Sequence, residues 1–339
     1  MGLLKYNIKR VISKKNKFAY LLFYSARFLP SPLFLIAHIT LQCNKKCPWC
    51  YQKQDRFFSR YNEHMKIEEF ERMLISGKRS LLKPHIHLYG GEPLSHPQFP
   101  LFLECCRKHG YSPTLSTNGA NLTGYADDII SSSLTQINIT VNDMLGSDGH
   151  VNPHNLPGLK YFLRSNKRRK IVNLNFVIDL ENFKYIDKVI GYLRSEHKND
   201  GISSFVCQHL MSNNGFKING APFEAGVLSQ RIKQLKQERL GFELLFMPDI
   251  KPQDLDKFYF SDSPFINKCY VPWAGLSIYP DLTVSPGGSI MTCNKIIGDL
   301  STQSINELWR GENLSSFRQN LLRGGLPKSC NRCCQKIYY

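Results

Sequence analysis

The sequence predicts an α/β fold: a partial (β/α)6 barrel over residues 33–215, a connecting segment over 216–264, and a small cysteine-organised domain over 265–339. Three observations predict it. Short apolar runs alternate with helix-period segments about six times, the pattern of right-handed crossovers and a parallel sheet. The 11 cysteines, an odd number, cluster as Cys43, Cys47 and Cys50 near the start and Cys330, Cys333 and Cys334 at the end. The 339 residues, 42% hydrophobic, hold one large domain and a smaller one at roughly 100–200 residues each. Global disorder, collagen-like repeats and a disulfide miniprotein are excluded.

The chain opens on an arm, residues 1–32. Seven basic residues and no acid precede Gln42, a large share of a net charge of +17. Arg27, Pro30 and Pro32 interrupt the apolar run Phe18–Ile39, leaving less than the roughly 20 residues that cross a bilayer. A signal-peptide cleavage site is also missing, so the expected location is cytoplasmic. Basic residues interleave with Leu3, Leu4, Ile8, Val11, Ile12, Phe18, Leu21 and Leu22. That pattern suits peripheral contact with an anionic membrane through residues 1–32 or packing against the main domain, and both readings stand.

Strands follow at Leu33–Leu41, His85–Tyr89, Thr114–Ser116, Gln136–Val141, Ile171–Ile178 and Ser204–Leu210. The second runs into Gly90-Gly91 and the third stops at Asn118-Gly119. Helical patterns cover Pro97–His109, Leu159–Ser165 and Phe183–Ser195. In such sheets ligands bind beyond the carboxyl ends of the strands, which marks the residues after each strand for inspection. Past Asn213 come a charged helix at Ser229–Arg239, a strand-like Phe242–Phe246 and a Pro/Asp-rich linker at Pro248–Pro264. The tail has few periodic segments and reads as core-poor, with metal contributing to its folding.

Cys43-Asn-Lys-Lys-Cys47-Pro-Trp-Cys50 sets three thiols in one loop after the first strand. Such a loop can wrap a 4Fe-4S cluster and leave one iron without a protein ligand. Zinc, with His38 or a distant residue as fourth ligand, is the alternative. Gly90-Gly91 and Asn118-Gly119 are also common turn pairs.

Cys-x3-Cys-x-Trp49-Cys resembles the radical SAM superfamily signature, and Gly90-Gly91-Glu92-Pro93 and Ser116-Thr117-Asn118-Gly119 follow in family order at strand ends. The resemblance implies a 4Fe-4S cluster on Cys43, Cys47 and Cys50, with S-adenosylmethionine on its open iron and Trp49 in the cofactor loop. It implies that Gly90, Gly91 and Glu92 meet the methionine amino group and that Ser116 and Asn118 lie near its carboxylate or the ribose. Thr140 or Asn142, or Asp143 beside them, stands where the family more often has Ser-x-Asp. The activity implied is reductive cleavage of S-adenosylmethionine to a 5'-deoxyadenosyl radical that abstracts hydrogen from substrate, with an electron donor such as flavodoxin or ferredoxin.

The tail resembles the auxiliary-cluster domain called SPASM, or its shorter Twitch form, through Cys269-Tyr-Val-Pro-Trp273, Pro280-Asp281, Cys293, Ile305-Asn-Glu-Leu-Trp309 and Cys330-Asn-Arg-Cys333. Cys269, Cys293, Cys330 and Cys333 are the implied ligands of one auxiliary 4Fe-4S cluster, with Cys334 competing for the last place. Five tail cysteines favour one cluster over two. Leu282 replaces the family's usual Gly after Pro-Asp. A zinc ribbon remains the alternative.

Four thiols are spare. Cys105 and Cys106 fit buried small hydrophobes in a helix. Cys207, in the sixth strand, is either core or a hydrogen donor to a substrate radical, which would make the net reaction an epimerisation. The substrate expectation is a small-molecule, sugar or lipid-linked intermediate, oxidised or epimerised. A peptide maturase is the alternative, against which stands the lack of a leader-binding domain ahead of the barrel. A non-catalytic iron-sulfur or zinc protein is the alternative of another class. Nucleic acid ranks below these, since the excess charge lacks a second basic stripe with interleaved aromatics and is densest in the hydrophobic arm.

Overall fold

The computed structural model describes residues 29–47, 50, 64–146, 148–178, 182–197, 200–210, 225–235, 237–238, 240–255, 258, 269, 271–287, 293, 295–326 and 330. The arm before residue 29, Trp49, Cys333 and Cys334 lie outside them. Seven parallel strands run through β1 (Phe34–Thr40), β2 (His85–Gly90), β3 (Thr114–Thr117), β4 (Gln136–Thr140), β5 (Ile171–Ile178), β6 (Ile202–His209) and β7 (Glu243–Met247). Helices α1 (Ile67–Lys78), α2 (Phe99–Lys108), α3 (Leu122–Ser131), α4 (Pro157–Asn166), α5 (Ile186–Glu196) and α6 (Ala225–Leu235) fill the crossovers. The α/β class and parallel sheet are as the sequence predicts, and the helix and strand-like run expected after the sixth strand are α6 and β7, the latter joining the sheet as its seventh parallel strand.

Alternation of side chains divides the sheet into two faces. Leu35, Ala37, Ile39, Ile86, Leu88, Leu115, Ile137, Ile139, Leu174 and Phe176 form one apolar face, all unexposed. They share a core with Phe70, Met73, Leu74, Phe102 and Ile129 of the helices. The opposite, inner face carries His87, Ser116, Asn138, Asn173 and Ser204 from five neighbouring strands.

The tail departs from expectation. Its β8 (Gly275–Ile278) pairs parallel to β1, β9 (Thr283–Pro286) and β10 (Gly298–Asp299) follow antiparallel, and among the described residues the whole is one ten-stranded sheet. Gly275 leaves room for the Phe34 ring, which a Cβ there would meet at 2.3 Å and push aside. Helices α7 (Ile305–Arg310) and α8 (Glu312–Arg323) cover it, α7 started by a Ser304–Glu307 capping box. Trp273, Tyr279, Leu282, Val284, Leu308, Trp309 and Leu314 are buried, and most of them join the barrel's own apolar cluster, so the segment is not core-poor. Trp309 Nε1 donates to Leu29 O at 2.8 Å and Ile305 N to Ser76 Oγ at 2.9 Å, fastening the tail to the barrel.

Candidate active site at the carboxyl ends of the strands

The cysteine loop leaves β1 at its carboxyl end and closes a turn, Cys50 N donating to Cys47 O at 3.1 Å. The thiols of Cys43, Cys47 and Cys50 lie within electrostatic reach of one another. Burial pushes the Cys43 and Cys47 thiols up, and the neighbouring thiols add to it because like charges oppose ionisation together. A cationic metal centre removes that opposition, so the donor set fits a cluster. His38, the proposed zinc ligand, stands apart. It is stacked on Tyr279 at 4.5 Å and edge-on to Tyr89 at 5.3 Å, with neither ring nitrogen hydrogen-bonded to a thiol or any other group among the described residues. Burial holds its pKa down at about 3.

Gly90-Gly91-Glu92 packs against the start of this loop. Gly91 N donates to Thr40 O and Glu92 N to Gln42 O, each at 2.8 Å. A Cβ on Gly90 would sit 2.1 Å from Thr40 O, and one on Gly91 2.2 Å from Gln42 O. Backbone meeting backbone is therefore what demands glycine here, before any ligand is considered. Gly90 also holds φ +146°.

Glu92 is unexposed. Its Oε1 accepts from Leu94 N (3.0 Å) and Thr117 Oγ1 (2.6 Å), and its Oε2 from Asn118 N (2.6 Å). Burial pushes its carboxyl up while these donors pull it down. Asn118 then faces the cysteine loop: Nδ2 donates to Asn44 Oδ1 at 2.8 Å and lies 3.8 Å from Cys43 Sγ. Lys45, inside the loop, donates to Asn118 O at 3.2 Å and pairs with Asp143 beyond β4. No local sequence signal marks the Lys45–Asp143 pair, since the two meet only through the sheet.

One row further in, Ser116 Oγ lies 3.1 Å from His87 Nε2 and accepts from Asn138 Nδ2 at 3.2 Å. Asn173 Nδ2 donates to Asn138 Oδ1 (2.8 Å) and Ser204 Oγ to Asn173 Oδ1 (2.7 Å). Ser116 thus belongs to a neutral ladder below the mouth, while Asn118 is at the loop itself. Thr140 is on the inner face in register with Asn175. Asn142 is not: its Nδ2 donates to Val177 O and its Oδ1 accepts from Val177 N, both at 2.8 Å, extending the β4–β5 ladder. Between the two, Thr140 is the side chain left to meet a ligand.

Cys207 is expected to be either core or a hydrogen donor. In register with Phe176 and Phe246, it lies on the helix-covered face, unexposed, and burial pushes its thiol up. It fits core packing. Cys106 is likewise unexposed and Cys105 nearly so. In the tail, Cys330 is buried and Cys269 and Cys293 half-buried.

The radical SAM superfamily profile matches residues 38–155, and an iron-sulfur cluster-binding domain profile, SPASM, matches residues 269–334. Among solved structures, Streptococcus suis SuiB bound to precursor peptide SuiA matches at TM-score 0.64 and 15% identity, over 87% of this chain and 68% of that one. SuiB bound to S-adenosylmethionine matches at 0.62 and 14%, over 94% and 77%. Histidine-tagged anSMEcpe with bound AdoMet matches at 0.61 and 14%, over 88% and 89%. These likenesses show a shared fold. The cysteine loop, the glycine crevice and the two profiles coincide, and the chain belongs to the radical SAM superfamily, with a C-terminal SPASM domain and hence 4Fe-4S, S-adenosylmethionine and auxiliary iron-sulfur cofactors.

Proposed function

We propose that this enzyme abstracts hydrogen from an uncharged substrate that hydrogen-bonds through hydroxyl or amide groups, with oxidation as the net result. The carrying observation is the inner face of the barrel. From β1 to β6 it holds no Asp, Glu, Lys or Arg among the described residues. Its upper rows present Thr140, Asn175 and Gln208, neutral and half-buried. A desolvated charge would find no counter-ion there, whereas hydroxyls and amides find donors and acceptors.

Cys43, Cys47 and Cys50 would hold the cluster, and Gly91, Glu92, Asn118 and Thr140 the S-adenosylmethionine. When bound, these groups supply the 5'-deoxyadenosyl radical. The chain's own part is to orient the substrate carbon and to exclude water. Glu92, fixed by three donors, is preorganised to receive an amine. Oxidation is preferred over epimerisation because Cys207 faces the helices. One auxiliary cluster on Cys269, Cys293, Cys330 and Cys333, a flavodoxin- or ferredoxin-type electron donor, and the boundaries at residues 33, 216 and 265 complete the proposal.

A peptide is the second reading of the same face, since peptide groups are uncharged and hydrogen-bonding. The fold shared with SuiB, solved with a precursor peptide, supports it. The test is anaerobic turnover with deuterated candidates. Deuterium must appear in 5'-deoxyadenosine, and Asn175→Asp or Gln208→Glu must suppress that transfer while substrate-free cleavage of S-adenosylmethionine continues. Equal transfer in wild type and both variants would remove the uncharged-substrate reading.

A further inference from the structure

In a parallel sheet every loop that enters a strand lies at the same end, opposite the mouth. At that end, the α1–β2 loop reads Lys78-Arg79-Ser80-Leu81-Leu82-Lys83. Leu81 is 76% exposed, the most exposed large hydrophobic among the described residues, and Leu82 and Leu33 are exposed beside it. Ser31 Oγ accepts from Leu82 N at 2.9 Å and donates to Leu82 O at 3.3 Å, joining this loop to the chain entering β1. Lys78 and Arg79 are exposed.

The α4–β5 loop adds Lys167, Arg168 and Arg169, all exposed. Lys167 and Arg168 hold φ +44° and +62°, the left-handed region that side-chain-bearing residues rarely adopt. Two neighbouring acids, Asp200 and Glu238, are engaged. Asp200 lies 2.8 Å from His197 and 3.9 Å from Arg164, and Glu238 lies 3.2 Å from Arg231 and 3.7 Å from Arg194. The chain before residue 29, basic and free of acids, joins the fold at this same end.

We propose that this end of the barrel docks on an anionic phospholipid surface, Leu81 and Leu82 entering the interface while Lys78, Arg79, Lys167, Arg168 and Arg169 meet the headgroups. Exposed leucines beside clustered bases fit a lipid interface, which takes both apolar insertion and charge. A nucleic acid would use the bases and leave the leucines in water.

Flotation of the full, cluster-loaded chain on vesicles tests it. Wild type should float with phosphatidylcholine–phosphatidylserine vesicles and stay behind with phosphatidylcholine alone. Leu81→Glu with Leu82→Glu, and separately Lys167→Glu with Arg168→Glu and Arg169→Glu, should each cut the bound fraction by about tenfold or more. Iron content, Tm and substrate-free S-adenosylmethionine cleavage should stay at wild-type values, which separates a docking failure from a failure of the enzymatic reading. No flotation of wild type, or flotation unchanged by both variants, would overturn the proposal. So would loss in the charge variant alone together with tight binding of an RNA or DNA duplex by wild type.

Discussion

Gly91→Ala tests why the glycine pair exists. The added methyl would stand 2.2 Å from Gln42 O, 2.6 Å from Gln42 C and 2.7 Å from Leu41 O, all backbone atoms. Ordinary contact begins at 3.4 Å, so about 1.2 Å must be made up by backbone movement. Gln42 immediately precedes Cys43, and the strain therefore passes into the cysteine loop. Overpacking of this kind costs about 1–3 kcal/mol of stability. A displacement near 1 Å at a reacting centre costs on the order of 100-fold in rate. The assay is anaerobic reconstitution, iron counting, then 5'-deoxyadenosine formation. Packing as the cause predicts loss of iron together with activity. Full iron with lost S-adenosylmethionine binding would show that the glycine serves the ligand alone, and full iron with activity within about threefold of wild type would refute the steric argument altogether.

Asn142→Ala should lower Tm, since it orphans Val177 N at about 1–3 kcal/mol and leaves Val177 O with the Asn182 amide as donor, whereas Thr140→Val should leave Tm in place and weaken S-adenosylmethionine binding several-fold. Cys207→Ala should leave turnover and product stereochemistry unchanged and lower stability modestly, read by chiral analysis and thermal melts. For His38 the folded pKa is depressed to about 3 from 6.5, so the unfolded chain binds the extra proton first. Stability then falls as pH drops through that window, by at most about 1.4 kcal/mol per pH unit, and His38→Phe should flatten the slope in melts across pH. Leu282→Gly relieves a φ of +68° worth about 1–2 kcal/mol but removes a buried side chain worth about 2–5 kcal/mol, so Tm should fall although glycine suits the turn better.

The fold was legible where local pattern carried it. Ile171–Ile178 is β5 residue for residue, because an eight-residue β-rich run has no helical competitor. Helix α1 is not among the predicted helices, although Phe70, Met73, Leu74 and Gly77 mark its buried face at helical spacing. Parity in β6 also showed the face of Cys207: Ser204, Val206 and Gln208 fall on one face, Phe205 and Cys207 on the other, and the first set carries the polar side chains. The β1–β8 pairing was not legible, since Phe34 and Gly275 meet across most of the chain and a parallel pair needs no shared turn. Nor could spacing show that the Asn142 amide turns to the Val177 backbone, a choice made by the register of β4 on β5.

Separation of the two ends of the sheet bears on what the enzyme acts upon. Glycine crevice, cysteine loop and Thr140 stand at the carboxyl ends, while Leu81, Arg79 and Arg168 stand at the amino ends. Strand β5 has eight residues, about 26 Å at roughly 3.3 Å per residue. A surface held at the amino ends therefore sits about that far from the mouth, several times the depth to which an interfacial loop enters a bilayer. A lipid-linked substrate would have to carry a polar head long enough to reach around the barrel. A substrate that diffuses in water, sugar or peptide, meets no such demand. Membrane docking at the amino ends and a soluble substrate are thus compatible in this fold, and a surface held there asks the longest reach of the lipid-linked member of the substrate expectation.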